Sequence, residues 1–141
     1  MFILSIFLPL ISYLICIFLN KILDDRRLCI ASSMFLIFST FLSLLSLVSL
    51  DENDQVIILT SWINSGSLNI DWSLQYNLLS VSMVLMVNFV STLIHIYSIG
   101  YMEKDERKVI FMGYLGLFTF FMLFLVSSSN LLQLFLGWEG V

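Results

Sequence analysis

Charge is what this sequence has least of. Asp, Glu, Lys and Arg make up 11% of its 141 residues, against about 25% in soluble domains. Hydrophobic residues reach 60% and the mean hydropathy is +1.01. A soluble core has no use for so much apolar surface, whereas a bilayer does, so a single globular domain in water is excluded and the lipid bilayer is the expected partner. The net charge of −4 speaks against a nucleic-acid partner. There are two cysteines, Cys16 and Cys29, at a spacing that fits no metal motif; they read as packing thiols, and no metal site is expected. A single Pro and a single Ala stand among abundant Phe, Leu, Ile and Ser, a bias that suits an AT-rich genome such as an organelle's.

What is present is a series of long apolar runs. Residues 2–19 carry no charge and have the length of one spanning helix. The run lacks the basic start and small-residue cleavage site of a signal peptide, so it is read as a retained helix. Pro9 removes one helical hydrogen bond there, which membrane helices tolerate when a neighbour satisfies the freed carbonyl. Residues 28–50 form the second span, with Ser39, Ser43, Ser46 and Ser49 on one stripe. The stripe is either a close-packing face or the wall of a hydrophilic pathway. Residues 78–99 and 109–126 are the third and fourth spans, the fourth with Gly113 and Gly116 as a close-packing face. Residues 131–141 begin a fifth, after Ser127-Ser128-Ser129-Asn130, whose Ser or Asn can cap it.

Between spans two and three, Asp51, Glu52 and Asp54 open a polar segment. A β-rich run follows, then a turn over Asn64-Ser65-Gly66-Ser67, then clean alternation: Leu68, Ile70, Trp72, Leu74 and Tyr76 against Asn69, Asp71, Ser73 and Gln75. This predicts a β-hairpin over about 56–76. A lone hairpin is marginal in water, so it should lie on something, and Trp62, Trp72 and Tyr76 suit the membrane interface or a neighbouring subunit. The fold class expected is an all-α membrane protein of about 4.5 spanning helices with one hairpin, a single membrane domain over 1–141 that is part of a larger helical bundle.

All six Lys and Arg fall in two loops, at Lys21, Arg26 and Arg27 and at Lys104, Arg107 and Lys108. Those loops lie on one side; the hairpin segment, with four acids and no Lys or Arg, lies on the other. The positive-inside rule puts the basic loops in the cytoplasm or the mitochondrial matrix, and the first residues and the hairpin outside. Nine of the ten acids lie outside the predicted spans; Glu139 alone lies within one. It comes nine residues after Asn130, roughly 13 Å into a hydrocarbon core of about 30 Å. An acid there is either a proton or ion relay or a neutral group hydrogen-bonded to a neighbouring helix. No Lys or Arg shares a span with it, so a cationic partner must come from outside these spans. His95, near the far end of the third span, is a packing histidine or a second proton carrier; Tyr97 and Tyr101 suit the aromatic belt.

Three motifs in order carry a resemblance: Ser91-Thr-Leu-Ile-His-Ile-Tyr-Ser-Ile-Gly-Tyr-Met102, Tyr114-Leu-Gly-Leu-Phe-Thr-Phe-Phe-Met-Leu-Phe-Leu-Val126, and Asn130 to Val141 with its Gly-Trp-Glu-Gly-Val. With Trp72-Ser-Leu-Gln-Tyr in the hairpin, they resemble the fifth mitochondrial NADH dehydrogenase subunit family, the large antiporter-like chains of respiratory complex I. The resemblance is strong over spans three to five and only one of pattern over spans one and two. It matches the first third or less of the usual subunit. Bacterial and chloroplast relatives and sodium/proton antiporter subunits share the Trp-Glu, but more often have an aromatic residue where Gly137 stands here.

The resemblance implies an antiporter-like helical fold with Glu139 as proton-relay acid and a Lys partner two helices later, beyond these residues. It implies proton translocation coupled to quinone reduction, with NADH, FMN, iron–sulfur clusters and ubiquinone bound by other subunits and no cofactor on this chain. It implies the other membrane-arm subunits as partners and the mitochondrial inner membrane as location. A sodium/proton antiporter component, or a shortened structural subunit with a vestigial relay, are the alternatives. The chain departs from the family where it has Asn77 in place of a common acid, and Ser128-Ser129 in place of a frequent Gly-Asp. The fifth span has about eleven residues here, against the ~20 that a crossing needs. The expectation is a split subunit, in which a second polypeptide completes the helix and carries the partner Lys.

Overall fold

The computed structural model describes residues 1–20, 22–50, 55–65 and 68–141. Five helices and one hairpin follow one another: α1 (Phe2–Leu19), α2 (Asp25–Val48), β1 (Gln55–Ser65), β2 (Leu68–Tyr76), α3 (Leu78–Tyr101), α4 (Lys108–Val126) and α5 (Leu131–Gly140). The first four helices are long and apolar enough to cross a membrane. At ten residues, α5 is about half that length. The expected turn at Gly66-Ser67, the acids Asp51, Glu52 and Asp54, and Lys21 lie outside the described residues.

Helix boundaries follow hydropathy with one systematic difference. The second span starts at Asp25, three residues before its apolar run, and the third continues to Tyr101. Charge ends the lipid-soluble stretch, but Asp and Arg are compatible with helical backbone, and Asp25 sits in the first turn where the helix dipole favours an acid. The four long helices close a ring, with α1 against α2 and α4, and α3 against α2 and α4. Two apolar clusters fill its ends. One joins Phe2 and Ile6 of α1, Leu74 of β2, Val81 and Val84 of α3 and Leu123 of α4. The other joins Cys16, Leu28, Cys29, Val109 and Met112, so both thiols are free and buried as packing residues.

Between the clusters the ring is held by hydroxyls and one amide. Ser12 bonds Ser32 at 2.7 Å, Thr40 bonds Thr92 at 2.8 Å, and Ser91 bonds Thr119 at 2.5 Å, joining α1 to α2, α2 to α3 and α3 to α4. Lipid gives no hydrophobic drive for helix association, so such bonds and close packing carry it. The freed carbonyl that Pro9 creates is that of Ser5, and Ser39 Oγ of α2 lies 2.5 Å from it. Ser39 also lies 3.0 Å from the Asn88 side-chain oxygen. One hydroxyl has one proton and cannot serve both. The network closes when the Asn88 amide turns over and donates to Ser39, which leaves its own proton for Ser5.

The other stripe serines turn back on their own helix: Ser43 donates to Thr40 O, Ser46 to Leu42 O and Ser49 to Leu45 O. The stripe is thus a packing face, and only Ser39 sends its hydroxyl across. Gly116 does the same for α4: a Cβ there would sit 3.1 Å from the Pro9 carbonyl oxygen, so a side chain would separate α4 from α1.

The hairpin pairs antiparallel, Gln55 with Tyr76 through Ser65 with Leu68, and two irregularities in β1 bend it. It lies on the ring of its own chain's helices, whereas the membrane interface or a neighbouring subunit was expected for its aromatic residues. Trp72 packs on Phe124 of α4 at 5.3 Å, Tyr76 on Phe2 of α1 at 5.1 Å, and the Tyr76 hydroxyl donates to Ser46 O. Strand β1 is the outer one, with Val56 and Ile58 exposed.

Candidate functional site

Helix α5 is built at its start. Asn130 is extended, and its side-chain oxygen accepts from Gln133 N at 2.8 Å, an N-cap. Its amide nitrogen donates to Asp71 O of β2 at 2.9 Å. Gln133 is fully buried, and its side-chain oxygen accepts from Ser73 N at 3.2 Å. Further contacts join the same two stretches: Gln75 N donates to Ser127 O at 2.8 Å, and the Ser73 and Ser129 hydroxyls touch. The polar residues of β2 were expected as one face of a half-buried strand; Ser73 is in fact buried, because the 127–133 segment covers it.

Helix α5 then packs on α4. Gln133 and Gly137 form the buried side, one turn apart. At Gly137 a Cβ would stand 2.9 Å from Leu125 Cα, a backbone atom that cannot swing away. Glu139 follows two residues later, about 200° around the helix, and is exposed on this chain with Trp138. Its carboxylate therefore faces away from α4, where a further helix can reach it.

His95 lies elsewhere. It is fully buried, and Nδ1 donates to the Ser91 carbonyl at 2.9 Å, which leaves Nε2 as the bare nitrogen of the neutral ring. Helix α3 follows β2 directly through Asn77, and Asn130 ties the start of α5 to Asp71 of the same strand, so both helices enter from the hairpin side. Counting from Leu78 and Leu131, His95 lies about 13 Å deeper than Glu139 by helical rise. The structure does not bring the two candidates together. Tyr97 and Tyr101 are exposed and stacked, as belt residues would be.

Sequence reading missed Gln133 and Asn88, each a single amide in an apolar run. Their signal was available: an amide in a span is costly unless bonded. The two family departures also find a physical account. Asn77 caps α3 by accepting from Ser80 N at 2.8 Å, a role an acid fills equally. Ser129 meets the Ser73 hydroxyl, which an acid would accept from as well.

Four spanning-length helices in a ring, a hairpin seated on one end, and an acid on a fifth helix define a polytopic helical membrane protein. A family profile described as the N-terminus of NADH-ubiquinone oxidoreductase (complex I) chain 5 matches residues 62–112. The whole chain is 43% identical to NADH-ubiquinone oxidoreductase chain 5 of Chondrus crispus, covering 22% of that protein. It is 40% identical to the chain 5 of Triticum aestivum, covering 21% of it. Over 99% of its length it is 42% identical to NADH-quinone oxidoreductase subunit L of Rickettsia conorii, covering 22% of it. The chain belongs to the complex I chain 5 family, and spans about a fifth of the length of these relatives.

Proposed function

We propose that the chain is part of a proton-translocating, antiporter-like subunit of NADH:ubiquinone oxidoreductase, a membrane-domain fragment that takes no part in electron transfer. Quinone reduction occurs on other subunits, which bind NADH, FMN, the iron–sulfur clusters and ubiquinone. The observation that carries this reading is Glu139. It is the one acid within an apolar run, it is exposed on its own chain, and it sits on a helix fixed at its start.

As a cation approaches, the carboxylic acid hands its proton on, and as the cation retreats the carboxylate takes one up. That cation comes from a helix outside these residues. His95, buried deeper with one bare nitrogen, is the secondary carrier. We place the subunit in the mitochondrial inner membrane, with the basic loops in the matrix, the hairpin in the intermembrane space and the other membrane-arm subunits as neighbours.

Replacing Glu139 by Gln keeps the shape and abolishes titration. Protons moved per NADH oxidised should fall in an assembled complex. Full translocation in an assembled Glu139→Gln complex would defeat the proposal.

A further inference from the structure

A β-strand at a sheet edge exposes a row of main-chain donors and acceptors, and proteins cover or blunt it. In β2 that row is formed by alternate residues. Asp71 O, Ser73 N and Gln75 N all point away from β1, and all three are taken by one segment: Asp71 by Asn130 Nδ2, Ser73 by Gln133 Oε1 and Gln75 by Ser127 O. Leu74 and Ser128 also form a bridge. Strand β2 thus has the β1 ladder on one side and, on the other, a single bridge and two side-chain bonds from the turn that starts α5.

Two side chains have double duties there. Asn130 caps α5 with its oxygen and holds β2 with its nitrogen. Gln133 gives its main-chain N–H to that cap and its side-chain oxygen to β2. Gln133 and Gly137 are also the buried side of α5 against α4, so translation and rotation of the helix are fixed by the same residues. Glu139 lies six residues beyond Gln133 on that rigid rod.

We infer that Asn130 and Gln133 are positioning residues, through which the outer edge of β2 sets the depth and direction of the Glu139 carboxylate. The inference rests on Glu139 being the relay acid. Proton exchange between a carboxylate and a cation on another helix depends on their separation, so a helix free to slide or turn would transfer protons poorly. The hairpin, outside the membrane, is thereby part of the relay's geometry.

The variants separate holding from capping. Asn130→Asp keeps a cap acceptor and loses the donor to Asp71. Gln133→Leu loses the acceptor for Ser73 N, and Gln133→Glu keeps one. In the assembled complex, Asn130→Asp and Gln133→Leu should speed hydrogen exchange of the amides of residues 133–141, on the order of tenfold for a lost hydrogen bond. They should also lower protons moved per NADH oxidised, and Gln133→Glu should restore both. Cysteines at Ser73 and Ser129, whose hydroxyls touch, should cross-link on oxidation. Added to Asn130→Asp, that link should restore slow exchange and translocation, and reduction should remove both again.

Unchanged exchange in residues 133–141, or faster exchange with full translocation, would overturn the inference. If the single variants fail to assemble, the cysteine pair alone decides. It should cross-link and pump as the parent does, and failure to cross-link would overturn the inference. Full translocation by Glu139→Gln would instead remove the relay reading, while the exchange data would still report on the clamp.

Discussion

Ser39 Oγ stands 2.5 Å from the carbonyl of Ser5, the group that Pro9 deprives of its helical donor. A proline in α1 and a serine in α2 are therefore one unit. Ser39→Ala should lower the heat resistance of the detergent-extracted complex, by about 1–3 kcal/mol for a buried carbonyl left unpaired. With Pro9→Ala, residue 9 regains an N–H for that carbonyl, and Ser39→Ala should then cost less. Additive effects of the two substitutions in a double-mutant cycle would show that they are not coupled.

The N-cap of α3 gives a milder expectation. Asn77→Ala removes the acceptor for Ser80 N and should destabilise by about 0.5–2 kcal/mol. Asn77→Asp keeps an acceptor and should lie close to the parent. Equal losses for Ala and Asp, measured by thermal unfolding, would contradict the capping role.

Gly137 admits α5 to α4 by having no Cβ. Gly137→Ala meets Leu125 main chain and must push the helices apart, at about 1–3 kcal/mol. Because the displaced helix carries Glu139, proton translocation per NADH should fall along with stability. A stable, fully pumping Gly137→Ala complex would show that this spacing is unimportant.

The basic loops predict the side on which the hairpin lies. Protease added to mitochondria whose outer membrane alone is opened should cut between Gln55 and Tyr76. A cut that requires breaching the inner membrane would reverse the assignment.

Among the described residues one ion pair joins α2 to α4, Lys108 to Asp25 at 3.8 Å; it is part-exposed and should matter little. Lys108→Ala is expected to change stability by less than about 1 kcal/mol. A larger loss of heat resistance would give that pair a role that its geometry does not suggest.

The spans were legible because each is a run of apolar residues, and the hairpin because Leu68 to Tyr76 alternates without interruption. Ser39 was legible as part of a stripe, though not its bond to Ser5, since nothing in a sequence says which serine of four will find a freed carbonyl. The attachment of the 127–133 segment to β2 left no periodic trace. It joins groups more than 50 residues apart, one bond main chain to main chain between Gln75 and Ser127 and two from the single amides Asn130 and Gln133, which recur with no period. Glu139 was legible as an isolated charge; the face it presents was not, because that depends on which residues of α5 fit against α4.

The attachment of α5 to β2 also bears on how the subunit meets membranes of different thickness. Spanning helices usually answer a thicker or thinner bilayer by tilting or sliding. Helix α5 hangs from a strand outside the lipid, so the hairpin and not the hydrocarbon sets its level. Glu139 then keeps a constant distance from the hairpin, and any change in thickness falls on the far end of the bundle.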